Sequence, residues 1–234
     1  MLGFNLFKKK FAFRYIKVPI KEIVYCPVPR LSKDVCGSPM SGDWDISINN
    51  ISIFDHTKIK MCLDHWINGK SWEDTGIIDL HLYHVREYAK SMHGCTHDDF
   101  KKRYERLDNL REKIKNNYNE DFLLGINRNN TNYFKDGILF HVSKRSKVLN
   151  KLPKKLLYEE LKHLYPNFVE RSSEKELIFD DWKKKDIYPF FGGSGCHRLA
   201  IALSLGLNYV PASLGIWHTD LDKSVIKSLI DKVS

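Results

Sequence analysis

Phe190-Phe191-Gly192-Gly193-Ser194-Gly195-Cys196-His197-Arg198-Leu199-Ala200-Ile201-Ala202 decides the reading of this chain. It is a glycine-rich turn that runs directly into a helix. The glycines at 192, 193 and 195 allow positive φ and leave room for a ligand to approach the backbone. Leu199, Ala200, Ala202 and Leu203 are helix formers with apolar side chains on one face. The first N–H groups of such a helix point back at the loop, where the helix dipole adds partial positive charge. His197 and Arg198 add side-chain donors, which describes a cradle for phosphate or carboxylate. A turn of the type Gly-Gly-Ser-Gly is common and by itself holds nothing; the adjacent Cys-His-Arg has no obvious packing purpose and points to a ligand. Gly206 then caps the helix, and residues 207–217 read as a strand.

The run Gly195-Cys196-His197-Arg198-Leu199-Ala200-Ile201-Ala202-Leu203-Ser204-Leu205-Gly206-Leu207-Asn208-Tyr209-Val210-Pro211 resembles the signature of the ParB/sulfiredoxin-like superfamily. There, a Gly-x-His-Arg turn opens a helix and a strand follows. Phe191-Gly192-Gly193 with Cys196-His197-Arg198 is similar to the sulfiredoxin form, from which the chain departs by Ser194-Gly195. Gly42-Asp43-Trp44-Asp45 and the helical middle resemble uncharacterised ParB-like proteins. The resemblance implies an α+β fold: a small mixed ParB/sulfiredoxin-like sheet with packed helices and a helical middle region. It implies ATP or CTP as candidate ligands. Gly192, Gly193, Ser194, Gly195, Cys196, His197 and Arg198 would hold the phosphates.

Composition agrees with a folded chain that meets anions. The 234 residues fit one domain, 1–234, with a helical insertion at 51–118 and a basic, charged insertion at 146–186. Hydrophobic content of 42% supplies a core, and the net charge of +9 favours a nucleotide, a phosphorylated sugar or nucleic acid. The lysines are spread evenly and no helix-turn-helix is evident, so DNA ranks below nucleotide. Five scattered cysteines without Cys-x-x-Cys spacing indicate thiols in a reducing compartment. No apolar run approaches the ~20 residues of a membrane span, and the basic, aromatic start is too broken for a signal peptide. A cytoplasmic location is expected.

Along the chain, residues 15–20 and 22–25 read as strand and turn, and 26–50 as loop. Helices are expected near 57–67, 72–92 and 97–116, the last capped by Thr96. A strand at 138–142, a helix at 154–164, a strand at 187–191 and a final helix at 220–232 follow.

Asp43 and Asp45 flank Trp44 in a loop. Two carboxylates two residues apart can share one Mg²⁺, or one can act as general base; the plain alternative is that they are turn formers. His141 and Lys144 follow a predicted strand and can contact the same anion as Arg198, or simply form a basic loop. Cys196 at a helix start has the setting of a thiolate, although a small packed residue explains it better. No zinc site is expected, because His81 and His84 lack a third ligand at recognisable spacing. The leading expectation is a nucleotide-dependent phosphotransferase or NTPase. Catalytic Asp43, Asp45, His197 and Arg198 would share one cleft, with the Gly42–Asp45 loop facing the glycine loop. The second substrate, a small molecule or a protein, is not identified. The alternatives are a non-enzymatic ParB-like module that binds DNA or a protein partner, and sulfiredoxin-like thiol chemistry at Cys196.

Overall fold

A computed structural model describes residues 15–20, 25–27, 36–47, 49–88, 96–124, 137–152, 157–169 and 176–230. The expectations for the basic arm at 1–14, the turn at 21–24, the helix break at 91–95 and the first residues of the helix at 154–164 lie outside them.

The sheet is built around one long strand, β7 (Tyr209–His218). Its first half pairs antiparallel with β1 (Tyr15–Pro19), and its last residues pair parallel with β3 (Pro39–Met40). On its other side lies β5 (Leu139–Lys144), parallel to it, and β6 (Ile187–Phe191) closes that edge antiparallel to β5. β2 (Tyr25–Cys26) and β4 (Ile51–Ser52) form a separate two-stranded ribbon. The fold is therefore mixed α+β, with a mixed sheet and packed helices.

Helices α1 (Thr57–Trp66), α2 (Ile77–Tyr88) and α3 (His97–Asn116) follow the ribbon. α3 starts where its cap chemistry dictates. Thr96 Oγ1 accepts from the Asp99 N–H and the Asp99 carboxylate accepts from the Thr96 N–H, a reciprocal pair. α2 starts five residues later than its apolar pattern suggests. Ser71 and Thr75 take up backbone partners in a turn, and Gly76 adopts φ +75°. Three helices were not anticipated: α4 (Glu120–Leu124), α5 (Arg145–Leu149) and α7 (Glu176–Lys184). α7 lies inside the stretch read as a charged insertion, and buries Trp182. α6 (Leu157–Leu164), α8 (Cys196–Ser204) and α9 (Lys223–Ile230) agree with their periodicity.

Alternation along β5 separates two faces. Phe140 and Val142 enter the main core with Phe191, α1 and the apolar side of α8. His141 and Ser143 point the other way, where Tyr188, Phe190, Val148 and Trp44 form a smaller cluster. No helix among the described residues is long and apolar enough to cross a membrane.

Candidate functional site

β3, β7 and β5 are mutually parallel neighbours, so their carboxyl ends lie together. Each end leads into a segment that carries ionisable groups. After Met40 comes the 41–47 loop with Asp43 and Asp45. After Lys144 comes α5 with Lys147. His218 ends β7, and Asp220 follows it.

These groups converge on the Lys147 ammonium. Its Nζ is 3.1 Å from Asp45 Oδ1, 3.7 Å from Asp220 Oδ2 and 3.8 Å from Asp43 Oδ1. His218 Nε2 is 2.9 Å away. The Asp45 side chain is fully buried, while those of Asp43 and Asp220 are 81% and 46% exposed. Asp45 Oδ2 accepts from Ser143 Oγ, so a carboxylate without solvent is held by a hydroxyl and an ion pair. A bare buried carboxylate is costly, and this arrangement offsets the cost with two partners.

Both neutral forms of the His218 ring find partners. With the proton on Nε2, that group donates to Gly42 O at 2.7 Å, and Nδ1 accepts from the Asp220 N–H at 3.0 Å. With the proton on Nδ1, it donates to Asp220 Oδ2 at 3.2 Å, and Nε2 accepts from Lys147 at 2.9 Å. The ring nitrogen cannot donate to Gly42 and accept from Lys147 at once, so the two forms are distinct hydrogen-bonded states.

Asp43 and Asp45 were expected to share Mg²⁺. They share an ammonium instead, which occupies the place between the carboxylates, so these residues as arranged do not fit the metal. Among the described residues no three His, Cys, Asp or Glu side chains are set to hold one.

The glycine loop lies elsewhere. β6 runs antiparallel to β5, so the loop that follows Phe191 returns to the start of β5, where Leu139 N–H donates to Ser194 O and Gly192 N–H donates to Leu139 O. Gly195 adopts φ +75°, and a Cβ there would come within 2.7 Å of Gly137 O and Ile138 Cα. Its glycine character thus serves a close approach of two backbones. Five residues of β5 separate Ile138 from Ser143, roughly 16 Å at strand rise. Asp45 and the start of α8 also sit on opposite faces of the sheet. The expected single cleft between Asp43, Asp45 and Arg198 is therefore not formed.

His197 is also differently placed. Its Nε2 lies 3.3 Å from Tyr104 Oη, which in turn contacts His81 Nε2 at 2.8 Å. Burial, and then the nearby charges of Arg103 and Lys58, push its pKa down to about 3. It stays neutral near pH 7 and brings no positive charge to a phosphate. Arg198 Nε donates to Phe122 O at 3.3 Å, and Phe122 lines a groove of about 520 Å³ with Asn109, Glu112, Lys113, Asn116 and Asn117. Cys196 packs against the main core, and Gly193 takes φ +77° in the turn.

Lys144 ends β5 and precedes α5, at the far end of the strand from the glycine loop, whereas His141 lies against Gly192 of that loop. His141 is fully buried, its Nδ1 accepts from the Ile216 N–H at 3.0 Å, and burial lowers its pKa to about 4. Sequence reading overlooked Lys147, His218 and Asp220, since nothing in spacing joins residues that far apart. Position at the ends of β5 and β7 was the available signal.

A second polar knot stabilises the helical layer. Asp108 on α3 accepts from Trp66 Nε1 and Trp72 Nε1, both at 2.8 Å, and contacts His65 Nε2 at 3.2 Å. Burial alone would raise its pKa; the bonds from His65, Trp66 and Trp72 outweigh that and hold it below the usual carboxylate range.

Compared with known proteins, the chain matches no family model, no curated protein and no solved structure.

Proposed function

We propose that the chain is an enzyme that moves a proton at the carboxyl ends of β3, β5 and β7. The carrying observation is the pair of complete hydrogen-bonded states available to His218 beside the Lys147 ammonium. Lys147 is 22% exposed and meets the substrate, while His218 stands behind it at 4%. Lys147 Nζ gives a proton to the substrate and takes one back from solvent at the mouth, while His218 Nε2 and the Asp45 carboxylate hold the nitrogen in place. Asp45 fixes the lysine, and Asp43 and Asp220 define the mouth. Ligands commonly bind at this end of parallel strands.

General acid–base groups contribute roughly 10²–10⁴-fold. A turnover screen over nucleotides, phosphorylated sugars and amides is run on the wild type, Lys147→Met, His218→Phe and Lys183→Ala. Activity lost in the first two variants and kept in the third supports the reading. Equal turnover in wild type and Lys147→Met refutes it.

A second reading keeps the chain among ATP- or CTP-dependent phosphotransferases or NTPases, with phosphates at the start of α8, as the ParB/sulfiredoxin-like resemblance implies. Arg198 Nε reaches the Phe122 carbonyl, and Phe122 borders a groove of about 520 Å³. A ligand at 100 times its Kd stabilises by about 2.7 kcal/mol, visible by thermal shift with and without Mg²⁺. Arg198→Ala should lose that shift and Lys183→Ala should keep it. Equal losses would assign the binding to bulk charge.

A further inference from the structure

A buried tyrosine is held between two imidazoles, and a line of indoles leads to it from the surface. Tyr104 on α3 is fully buried, and its Oη lies 2.8 Å from His81 Nε2 and 3.3 Å from His197 Nε2. Burial pushes the phenol pKa well above its ordinary range, so Tyr104 keeps its proton at neutral pH. It has one proton to give and two rings beside it. His197 is a poor base, since burial and the neighbouring cations hold its pKa down at about 3. The closer ring, His81, is therefore the acceptor, and His197 Nε2–H donates to the phenol oxygen.

Trp72 packs on the Tyr104 ring with centroids 4.7 Å apart, and Trp66 packs on Trp72 at 5.5 Å. These are ordinary aromatic contacts, across which an electron passes readily. Trp66 is only partly buried, and the Asp108 carboxylate that accepts both indole N–H groups is 36% exposed, so the line begins at the surface. An indole that loses an electron while keeping its proton is a cation. Asp108 lets both indoles carry that charge in passing, and the Arg111 guanidinium, 6.0 Å from the Trp66 ring, opposes its resting there. Tyr104 can lose an electron and pass its proton to His81 in the same step, which leaves its buried ring uncharged.

We propose that Trp66, Trp72 and Tyr104 form a path for one-electron oxidation, which ends as a neutral Tyr104 radical. The inference stands apart from the Lys147 cluster and from both readings above. The oxidant is a small one-electron acceptor in solution. It takes an electron from Trp66, the Trp66 cation takes one from Trp72, and the Trp72 cation takes one from Tyr104. The Tyr104 O–H bond breaks as that electron leaves, and its proton bonds to Nε2 of His81 to give the imidazolium. A one-electron donor in solution reverses the sequence: the electron returns to Tyr104 and the proton comes back from His81.

The test uses the azidyl radical, generated by pulse radiolysis of azide solution containing the full-length protein. Transient absorption and EPR of freeze-quenched samples follow the products. A tryptophanyl radical is expected first, decaying into a tyrosyl radical at a rate independent of protein concentration. Tyr104→Phe should leave the tryptophanyl radical long-lived, while Tyr83→Phe, at an exposed tyrosine, should leave the transfer unchanged. Trp72→Phe and His81→Phe should each slow the transfer several-fold. Heavy water should slow it in the wild type, which reads the O–H cleavage without any substitution. Absence of a tyrosyl radical in the wild type overturns the path, as does one of wild-type yield and rate in Tyr104→Phe. A rate unchanged in Trp72→Phe removes the indole route. A rate unchanged both in heavy water and in His81→Phe overturns the proton transfer to His81.

Discussion

Gly215→Ala is the sharpest perturbation this architecture offers. Gly215 lies on β7 against the face of His141. A methyl group there would sit 2.2 Å from His141 Nδ1, 2.7 Å from Cε1 and 3.0 Å from Phe140 O. The ring has no retreat, because Gly192 meets its other nitrogen and Trp44 packs beside it. Overpacking of this kind costs about 1–3 kcal/mol. Displacing the ring also strips the Ile216 N–H of its acceptor, and a buried donor left unmade costs about 1–3 kcal/mol. The sum is about 2–6 kcal/mol, a large fraction of the ~5–15 kcal/mol that holds an ordinary domain. At 2–4 °C per kcal/mol for a chain of this size, Tm should fall by roughly 10 °C. Urea unfolding near neutral pH measures the free energy directly. Gly69→Ala serves as control: it has φ +72° but nothing within 4 Å, so it should cost only the left-handed backbone term, about 1–2 kcal/mol. In a His141→Ala background the Gly215→Ala penalty should shrink by at least about 1 kcal/mol, since the two sites are coupled by contact. A penalty below about 0.5 kcal/mol, or one unchanged in that background, would refute the reasoning.

Two further outcomes are expected. His141 and His197 both have folded pKa values below the ordinary 6.5, near 4 and 3, so the unfolded chain takes up protons first as pH falls. Stability is full above about pH 6.5 and declines toward pH 4 with a slope of about 1.4 kcal/mol per unit for each ring; His197→Gln should halve the slope in a pH series of urea melts. Asp108→Ala leaves the Trp66 and Trp72 indole N–H groups and His65 without their acceptor and should cost about 2–3 kcal/mol, whereas Asp108→Asn, which keeps an oxygen, should cost clearly less; tryptophan-detected unfolding distinguishes them.

The elements legible in the sequence were those with a local cause. Thr96 and the Asp98-Asp99 pair mark the start of α3, and the glycine turn followed by alanines and leucines marks α8, because caps and periodicity act within a few residues. α5 and α7 escaped since their helical state depends on other segments: Asp186 Oδ1 and Oδ2 accept from Ser146 N–H and Oγ, and Trp182 enters the core. The α+β class was legible, because strands and helices alternate in the apolar pattern. The aspartates of 43 and 45 were legible as chemistry but not as geometry. Their partners come from α5 and the end of β7, and only the strand order puts them at the opposite end of β5 from Arg198. The glycines misled in an instructive way: their density signalled room, and at 195 that room is filled by the backbone of Gly137 and Ile138.

The strand that organises this sheet is also made late. Tyr15 pairs with Ser213, Pro39 with Trp217 and Leu139 with Ser213, so β1, β3 and β5 all wait for β7 before any of them has its central neighbour. On the ribosome, the amino-terminal half emerges with helices able to form but with strand edges exposed and unsatisfied. Such pairings over long chain distances are slow and leave intermediates open to association. Closure of the sheet and assembly of the Asp45–Lys147–His218 cluster are consequently one event. A nascent chain halted before residue 209 has neither, which makes the last strand the point at which this protein acquires both its architecture and its chemistry.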